Sequence, residues 1–329
     1  MSTVAVSPEA IVAGEDARPD DLEAYRRELT GYCYRMLGSG FEADDAVQET
    51  MVRAWRAIDR FEGRSSVRSW LYRIATNVCL DMVRGPQRRA RPMEFGPSSP
   101  IETAALGAAH SEKTWVQPIP DAKVLPTDGD PAELAIARET IRLAFIAALQ
   151  NLPPRQRAVL ILREVLRWQA TEVAELLDTT VASVNSALQR ARETMGDVRL
   201  DNTSTTVAAD QQELLARYVD AFERYDVAEL VTMLRDDVVL SMPPYALWLQ
   251  GTENFAGWFL GEGIVCKDSR LVATAANGGA AFGSYHTDGK GGHTPWAIQI
   301  IETDGERITG HHNFLGSELF EYFGLPAKL

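Results

Sequence analysis

The chain has 329 residues, enough for two or three domains, and its 45% hydrophobic and 24% charged content suits globular domains. It holds no run of about 18 apolar residues, so no membrane-spanning helix and no membrane partner are expected. The net charge of −13 seems to exclude nucleic acid, but it is unevenly spread. Residues 201–329 carry 18 acidic against 8 basic side chains, and the first 200 carry 28 against 25. Between Arg64 and Arg91 stand seven arginines (64, 68, 73, 84, 88, 89 and 91) against Asp81 alone. Such a patch is sufficient for phosphate contact.

Residues 1–20 lack the positive start and apolar core of a signal peptide and read as a flexible arm. Residues 21–90 form a first all-α domain. Val47, Met51, Ala54, Trp55 and Ile58 make one apolar stripe, and Trp70, Leu71, Ile74, Ala75, Val78 and Met82 another. The loop between them ends at Ser65 or Ser66, either of which can cap the following helix. Residues 91–130 lose all periodicity, carry six prolines and read as a linker. A second all-α domain spans 131–198, entered at Pro131, with a helical stripe from Ile141 to Leu152. Within it, Thr171–Leu177 and Val181–Met195 are predicted as a helix-turn-helix around Asp178-Thr179-Thr180. Val181, Val184, Leu188 and Ala191 face inward. A short polar linker over 199–209 leads to an α+β domain at 210–329. That domain is helical to Arg235, with strands expected at Val238–Leu240, Leu271–Ala273, Ala280–Phe282 and Ala297–Ile301.

The chemistry of the helical parts suits nucleic acid. Asp44 and Asp45 complement a helix N-terminus, and Glu49 and Arg53 form an i,i+4 pair. Loop arginines beside Phe61, Trp70 and Tyr72 combine charge with flat rings, as single-stranded bases require. On the second helix of the helix-turn-helix, Ala182, Ser183, Asn185, Ser186, Gln189, Arg190 and Arg192 face outward. Small residues there allow backbone approach to a major groove, and Asn and Gln can read adenine edges. The turn carries Asp178 where glycine is usual, and Asp tolerates the left-handed conformation. Cys33, Cys79 and Cys266 form no CxxC pair, which points to a reducing cytoplasm and no metal site. No cofactor is expected.

The two helical blocks in this order resemble the extracytoplasmic-function group of RNA polymerase sigma factors. Asp44, Asp45, Gln48, Glu49 and Trp55 match the family's acidic helix, Trp55 one position off the commonest spacing. Phe61, Ser65, Ser66, Trp70, Leu71, Ile74, Ala75, Asn77, Asp81 and Arg84 match the segment after it. The resemblance implies that Asp44, Asp45, Gln48, Glu49 and Arg53 face the clamp of the largest subunit of the polymerase core. It places Arg64, Ser65, Ser66, Arg68, Arg73 and Asn77 near the non-template strand of the −10 element. Arg155, Thr180, Ala182, Ser183, Asn185, Ser186, Gln189, Arg190 and Arg192 would meet the −35 element of promoter DNA. The family's connector threads toward the active centre, which makes Trp115, Asp121, Asp128 and Asp130 candidates for that path.

Residues 210–325 resemble the cone-shaped fold of ketosteroid isomerase and its SnoaL-like relatives. Tyr218, Tyr245, Trp248, Trp258, His286 and Trp296 are the candidate pocket residues. Isomerase chemistry needs a tyrosine, a carboxylate base and a protonated acid, a case the general theory of tuned pKa values uses as its own example. Tyr218 aligns with the tyrosine, but Met242 stands at the base and Gln299 at the acid, so no catalytic residue is expected. The reading is a promoter-directing sigma factor with a fused regulatory domain whose acidic surface makes an intramolecular contact with the sigma domains. The alternative is a ligand-binding or catalytic SnoaL-like enzyme targeted to DNA by the helical domains.

Overall fold

The computed structural model describes residues 22–63, 65–84, 88–196 and 209–329. The expected flexible arm, Arg64 and nearly all of the 199–209 linker lie outside the described residues. The chain divides into a helical unit (Met1–Gln87, Lys123–Thr127, Ala148–Arg199) and a mixed unit (Arg88–Ala122, Asp128–Ala147, Leu200–Leu329).

The helical unit contains α1 (Arg26–Leu37), α2 (Gly40–Ala57), α3 (Val67–Met82), α4 (Pro154–Leu160), α5 (Ala170–Leu176) and α6 (Val181–Met195). Gly38 ends α1 with φ 70°, its N–H donating to the Tyr34 carbonyl, and Ser39 caps α2 by accepting from the Glu42 amide. Ser66 is the cap of α3. α1 is buried from Leu29 to Leu37 and carries the aromatic centre of the unit, with Tyr32, Tyr34 and Tyr72 fully enclosed. Tyr32 shares a 2.7 Å hydrogen bond with Thr76. Arg157 of α4 is buried against the C-terminal end of α1. Its guanidinium donates to the Met36 carbonyl, to Gln150 Oε1 at 2.6 Å and to the carbonyls of Gln150 and Leu152 at 3.2 Å. Burial lowers its pKa to about 10, so it stays charged near neutrality. A cation on orphan carbonyls at the negative end of a helix is favourable.

The mixed unit contains α7 (Ala209–Glu223), α8 (Val227–Thr232), β1 (Leu234–Ser241), β2 (Trp248–Gln250), α9 (Thr252–Leu260), β3 (Arg270–Ala276), β4 (Gly279–Thr287), β5 (His293–Thr303), β6 (Ile308–Leu315) and α10 (Glu318–Tyr322). The sheet order is β2-β1-β6-β5-β4-β3, antiparallel except for the parallel pair β1–β6. Tyr218 and Phe222 of α7 and Phe255, Trp258 and Phe259 of α9 share one core cluster with Leu240, Phe282 and Ile301 of the sheet. This is the cone-shaped α+β arrangement expected. Strands β2 and β6 escaped the sequence reading. β2 has three residues, and β6 carries His311, His312 and Asn313 where an apolar run would be sought.

Residues 91–130 are not a free linker. Ser99 donates its amide to the Trp248 carbonyl and His110 to that of Pro244, both at 2.9 Å. Trp115, 1% exposed, gives its indole N–H to the Pro244 carbonyl, and Ala104 enters the core cluster. Trp115 and Asp121 are thus held inside the mixed unit and do not form an open path. The helix at Pro131–Glu139, capped by Asp130, also belongs to this unit and not to the second helical domain. These attachments are main-chain bonds to residues more than a hundred positions away, which leave no periodic signature. Asn277 is central to them. Its Oδ1 accepts from the Ile119 amide at 3.1 Å, its Nδ2 donates to the Ile141 carbonyl at 2.7 Å, and its φ is 53°.

Replacing Asn277 by Ala strands two buried partners and strains a left-handed residue, so the mixed unit should lose about 2–5 kcal/mol in urea unfolding. Limited proteolysis should then cut within residues 100–130, which the native chain protects.

Candidate polymerase and promoter interface

The face of α2 is set by two interleaved rows. Val47, Met51, Ala54 and Ile58 point into the bundle. Asp45, Gln48, Val52, Trp55 and Asp59 make the neighbouring row, and Trp55 is 63% exposed. Trp55 therefore leaves the inward stripe in which it was expected. The spacing already held this signal, because 47, 51, 54 and 58 recur at intervals of four, three and four, and 55 falls outside them. Glu49 and Arg53 pair at 2.6 Å as anticipated. Asp44 is held at 2.5 Å by Lys123, which takes it out of the free acidic surface.

The start of α3 is less open than its arginines suggest. Ser66 accepts from the Ser69 amide and bonds the Ser69 hydroxyl, while Ser65 is exposed. Phe61 and Trp70 stack at 5.0 Å and are each half-buried. Arg68 grips both oxygens of Glu28 at 3.0–3.1 Å and lies 5.2 and 5.3 Å from the ring centres of Tyr72 and Trp168. Tyr72 and Trp168 are themselves 5.0 Å apart. Arg73 donates to the Glu175 carbonyl at 2.6 Å. Asn77 is exposed. Arg68 and Arg73, read as strand-facing, are thus spent on joining α3 to the helix-turn-helix.

The helix-turn-helix forms where expected. Asp178 takes φ 49°, so aspartate supplies the left-handed turn in glycine's place. Glu172 accepts from the Gln169 amide at the start of α5. Thr180 caps α6 by accepting from the Ser183 amide at 3.2 Å, so both hydroxyls serve the helix start. Ala182, Asn185, Ser186, Gln189 and Arg190 are exposed on one side, opposite buried Val184, Leu188 and Ala191. Val181 is 38% exposed and not inward, since the first helical position precedes the packed face. Gln189 bonds Glu193 and Arg192 pairs with Glu164, which leaves Asn185, Ser186 and Arg190 as the least engaged reading groups. Arg155 is exposed at the start of α4.

The six candidate pocket residues do not meet in one cavity. Tyr218 and Trp258 are core, with Tyr245 packed against that core. Trp248 gives its indole N–H to the Gly96 carbonyl. His286 stacks on Trp296 at 4.3 Å. Where isomerase chemistry would sit, a closed chain of hydrogen bonds runs instead. Tyr218 donates to Gln299 Oε1 at 2.8 Å and meets His311 Nε2 at 2.8 Å, and His311 Nδ1 meets Asn313 Nδ2 at 2.9 Å. The chain is satisfied when neutral His311 carries its proton on Nε2, a tautomer assigned from the network. Burial, with some help from the His312 charge, lowers His311 to about 3, and burial raises the Tyr218 phenol well above its usual value.

Residues 22–89 match Sigma-70 region 2 and residues 142–195 match Sigma-70 region 4, which defines the class of protein. ECF RNA polymerase sigma factor SigG of Mycobacterium tuberculosis is 42% identical over 312 residues, covering 93% of this chain and 83% of that one. The chain therefore belongs to the extracytoplasmic-function group of RNA polymerase sigma factors, proteins that direct promoter-specific transcription initiation. SigJ of the same organism is 24% identical over 93% of this chain and 96% of its own. The crystal structure of SigJ shares the fold, with a TM-score of 0.59 at 22% identity over 94% of this chain and all of that one. SigW of Bacillus subtilis is 29% identical over 55% of this chain and 88% of its own. Among the described residues no helix is long and apolar enough to cross a membrane.

His311 is neutral when folded and titrates near 6.5 when unfolded, so its contribution is complete above pH 6.5 and is lost as pH falls toward 3. Acidification from pH 6.5 to 5 should cost the mixed unit about 2 kcal/mol through this group. The slope of urea-unfolding free energy against pH should flatten by that amount in His311→Gln.

Proposed function

We propose that the helical unit, as folded here, is the closed form of a promoter-reading device whose two readers must part before they can act. The carrying observation is the join between α3 and the helix-turn-helix, made by Arg73 on Glu175 and by Tyr72, Arg68 and Trp168. Elements named −10 and −35 lie about 25 base pairs apart, roughly 85 Å of duplex at ~3.4 Å per step. Two readers bonded at 2.6 Å cannot occupy both. Opening releases Arg68 and Arg73 for the non-template strand, beside Ser65, Asn77 and the Phe61–Trp70 pair. Asn185, Ser186, Gln189 and Arg190 then read the −35 duplex, with Arg155 on phosphate.

The clamp of the polymerase core docks on the outward row of α2. Asp45, Gln48, Glu49 and Arg53 rim it and Trp55 supplies the apolar anchor. A solitary exposed Trp amid charged groups is the composition of an interface hot spot. The protein works in the cytoplasm, where polymerase and reduced cysteines are found.

The mixed unit acts by binding and regulation, not by turnover. Met242, at the place of the base, has no proton-accepting group, and Tyr218 is locked between Gln299 and His311. Its action reaches the sigma regions through the chain itself. Residues 88–122 and 128–147 fold with the sheet, and residues 123–127 between them fold with the helices. A truncation after residue 204 therefore also unfolds the connector, and point substitutions are the cleaner probe.

Trp168→Ala removes a ring pair and a cation–π contact worth together about 1–3 kcal/mol. Run-off transcription with core enzyme at limiting protein should rise several-fold, and an unchanged yield would sink the closed-form reading. Trp55→Ala should weaken core binding by about 2 kcal/mol or more, some thirtyfold in Kd by fluorescence anisotropy.

A further inference from the structure

The mixed unit contains a cavity of about 240 Å³ that belongs neither to the promoter readers nor to the closed centre around Tyr218. One wall is the connector, contributing Asp121, Arg138, Arg142 and Leu143. The other is α7 with the strands β3 to β5, including Gln211, Leu215 and Ile301. Its size is below the range of about 300–1,000 Å³ usual for drug-sized ligands, so a small metabolite is the fitting scale.

Its polar groups divide into those already served and those waiting. Arg142 pairs with Glu139 at 2.9 Å. Burial acts to raise the Glu302 carboxyl, but the neighbouring charges of His312, Arg91 and Arg142 outweigh it and hold the group at about 2. That pair of side chains is internally balanced. Arg138 is different: among the described residues its guanidinium makes no hydrogen bond and no ion pair. Asp121 takes one bond, from the Gly278 amide at 2.8 Å, and forms no ion pair with Arg138 although both line the cavity. Gln211 spends its amide N–H on Thr303, and its buried Oε1 has no donor. One unpaired cation thus stands across from a part-used carboxylate and an unsatisfied carbonyl oxygen, over an apolar lining of Leu143, Leu215 and Ile301.

We propose that this cavity binds a small zwitterion, a free α-amino acid with an aliphatic side chain. Its carboxylate lies on Arg138, its ammonium donates to Asp121 and Gln211 Oε1, and its side chain covers the apolar lining. A simple anion would leave Asp121 with the Gly278 amide as its one donor and Gln211 Oε1 with none, and a simple amine would leave Arg138 without an acceptor. Burial raises Asp121 to about 6, the expected state of a carboxyl in a desolvated place that an ammonium would complete. Connector and sheet meet tightly beside this site. A Cβ on Gly278 would come within 2.6 Å of the Arg138 carbonyl, so the turn there admits only glycine. An occupant between the two walls would therefore fasten the connector to the sheet. The promoter-reading proposal neither requires nor supplies this site.

The test is calorimetric titration of the full-length chain with L-leucine, alongside 4-methylpentanoate (which lacks the ammonium), isopentylamine (which lacks the carboxylate) and inorganic phosphate. L-leucine should bind saturably and raise the thermal midpoint, at least tenfold more tightly than either truncated analogue. Arg138→Met should abolish binding while melting as the native chain does, and Asp121→Asn should weaken it at least tenfold. Absence of leucine binding at millimolar concentration would overturn the proposal. So would 4-methylpentanoate or phosphate binding as tightly as leucine, which would mark a plain anion site, or undiminished binding by Arg138→Met. Run-off transcription of Arg138→Met keeps the two proposals apart, since retained promoter activity with lost leucine binding leaves the sigma reading intact.

Discussion

A buried positive charge closes the helical unit. Arg157 comes from α4, within the region 4 match, and spends its guanidinium on carbonyls that α1 and the 150–152 turn cannot satisfy themselves. A helix end buried without such a partner is costly, and so is an unpaired buried charge, so each solves the other's problem. Everything else that joins region 2 to region 4 is built around that contact. Tyr72 meets Trp168, Arg68 lies over both rings, and Arg73 reaches the Glu175 carbonyl. The residues proposed for strand recognition are therefore also those that hold α3 to the segment around the helix-turn-helix. On that proposal, recognition and closure compete for the same side chains, the physical basis of a two-state device.

The mixed unit keeps an isomerase-like architecture with its central tyrosine already committed to other side chains. The tyrosine remains, but Gln299 accepts its hydrogen bond and His311 occupies its other side. Aromatic rings from α7 and α9 fill the space around the imidazole, Phe255 at 5.5 Å and Phe259 at 6.0 Å. Tyr218, Gln299, His311 and Asn313 are thus tied to one another in one buried network. A buried carbonyl oxygen without a donor, Gln211 Oε1, lies elsewhere, in the cavity between connector and sheet.

Much of the helical part was legible in advance. The helix-turn-helix fell within a residue of its predicted bounds, and Asp178 turned left-handed as its side chain allows. Local signals suffice there: apolar spacing, a cap and a turn residue within thirty positions. The connector was misread because prolines and missing periodicity describe a chain that pairs with nothing nearby. Its partners are Pro244, Trp248 and Asn277, which no local pattern indicates. Strand β6 was missed for a related reason. Its His311 and Asn313 are buried in a network with Tyr218, its His312 is buried against Ser241, and polar residues carry no apolar alternation.

Composition and spacing by themselves determined the class of each segment and the candidate groups for meeting DNA or polymerase. Periodicity is a property of neighbours in sequence, so those features survive without any fold. Tertiary structure alone decided which of those groups are free. Lys123 occupies Asp44, Glu28 and two rings occupy Arg68, and Trp55 is released to solvent. Availability depends on what packs against a side chain from far along the chain, and that is settled only when long-range contacts are made.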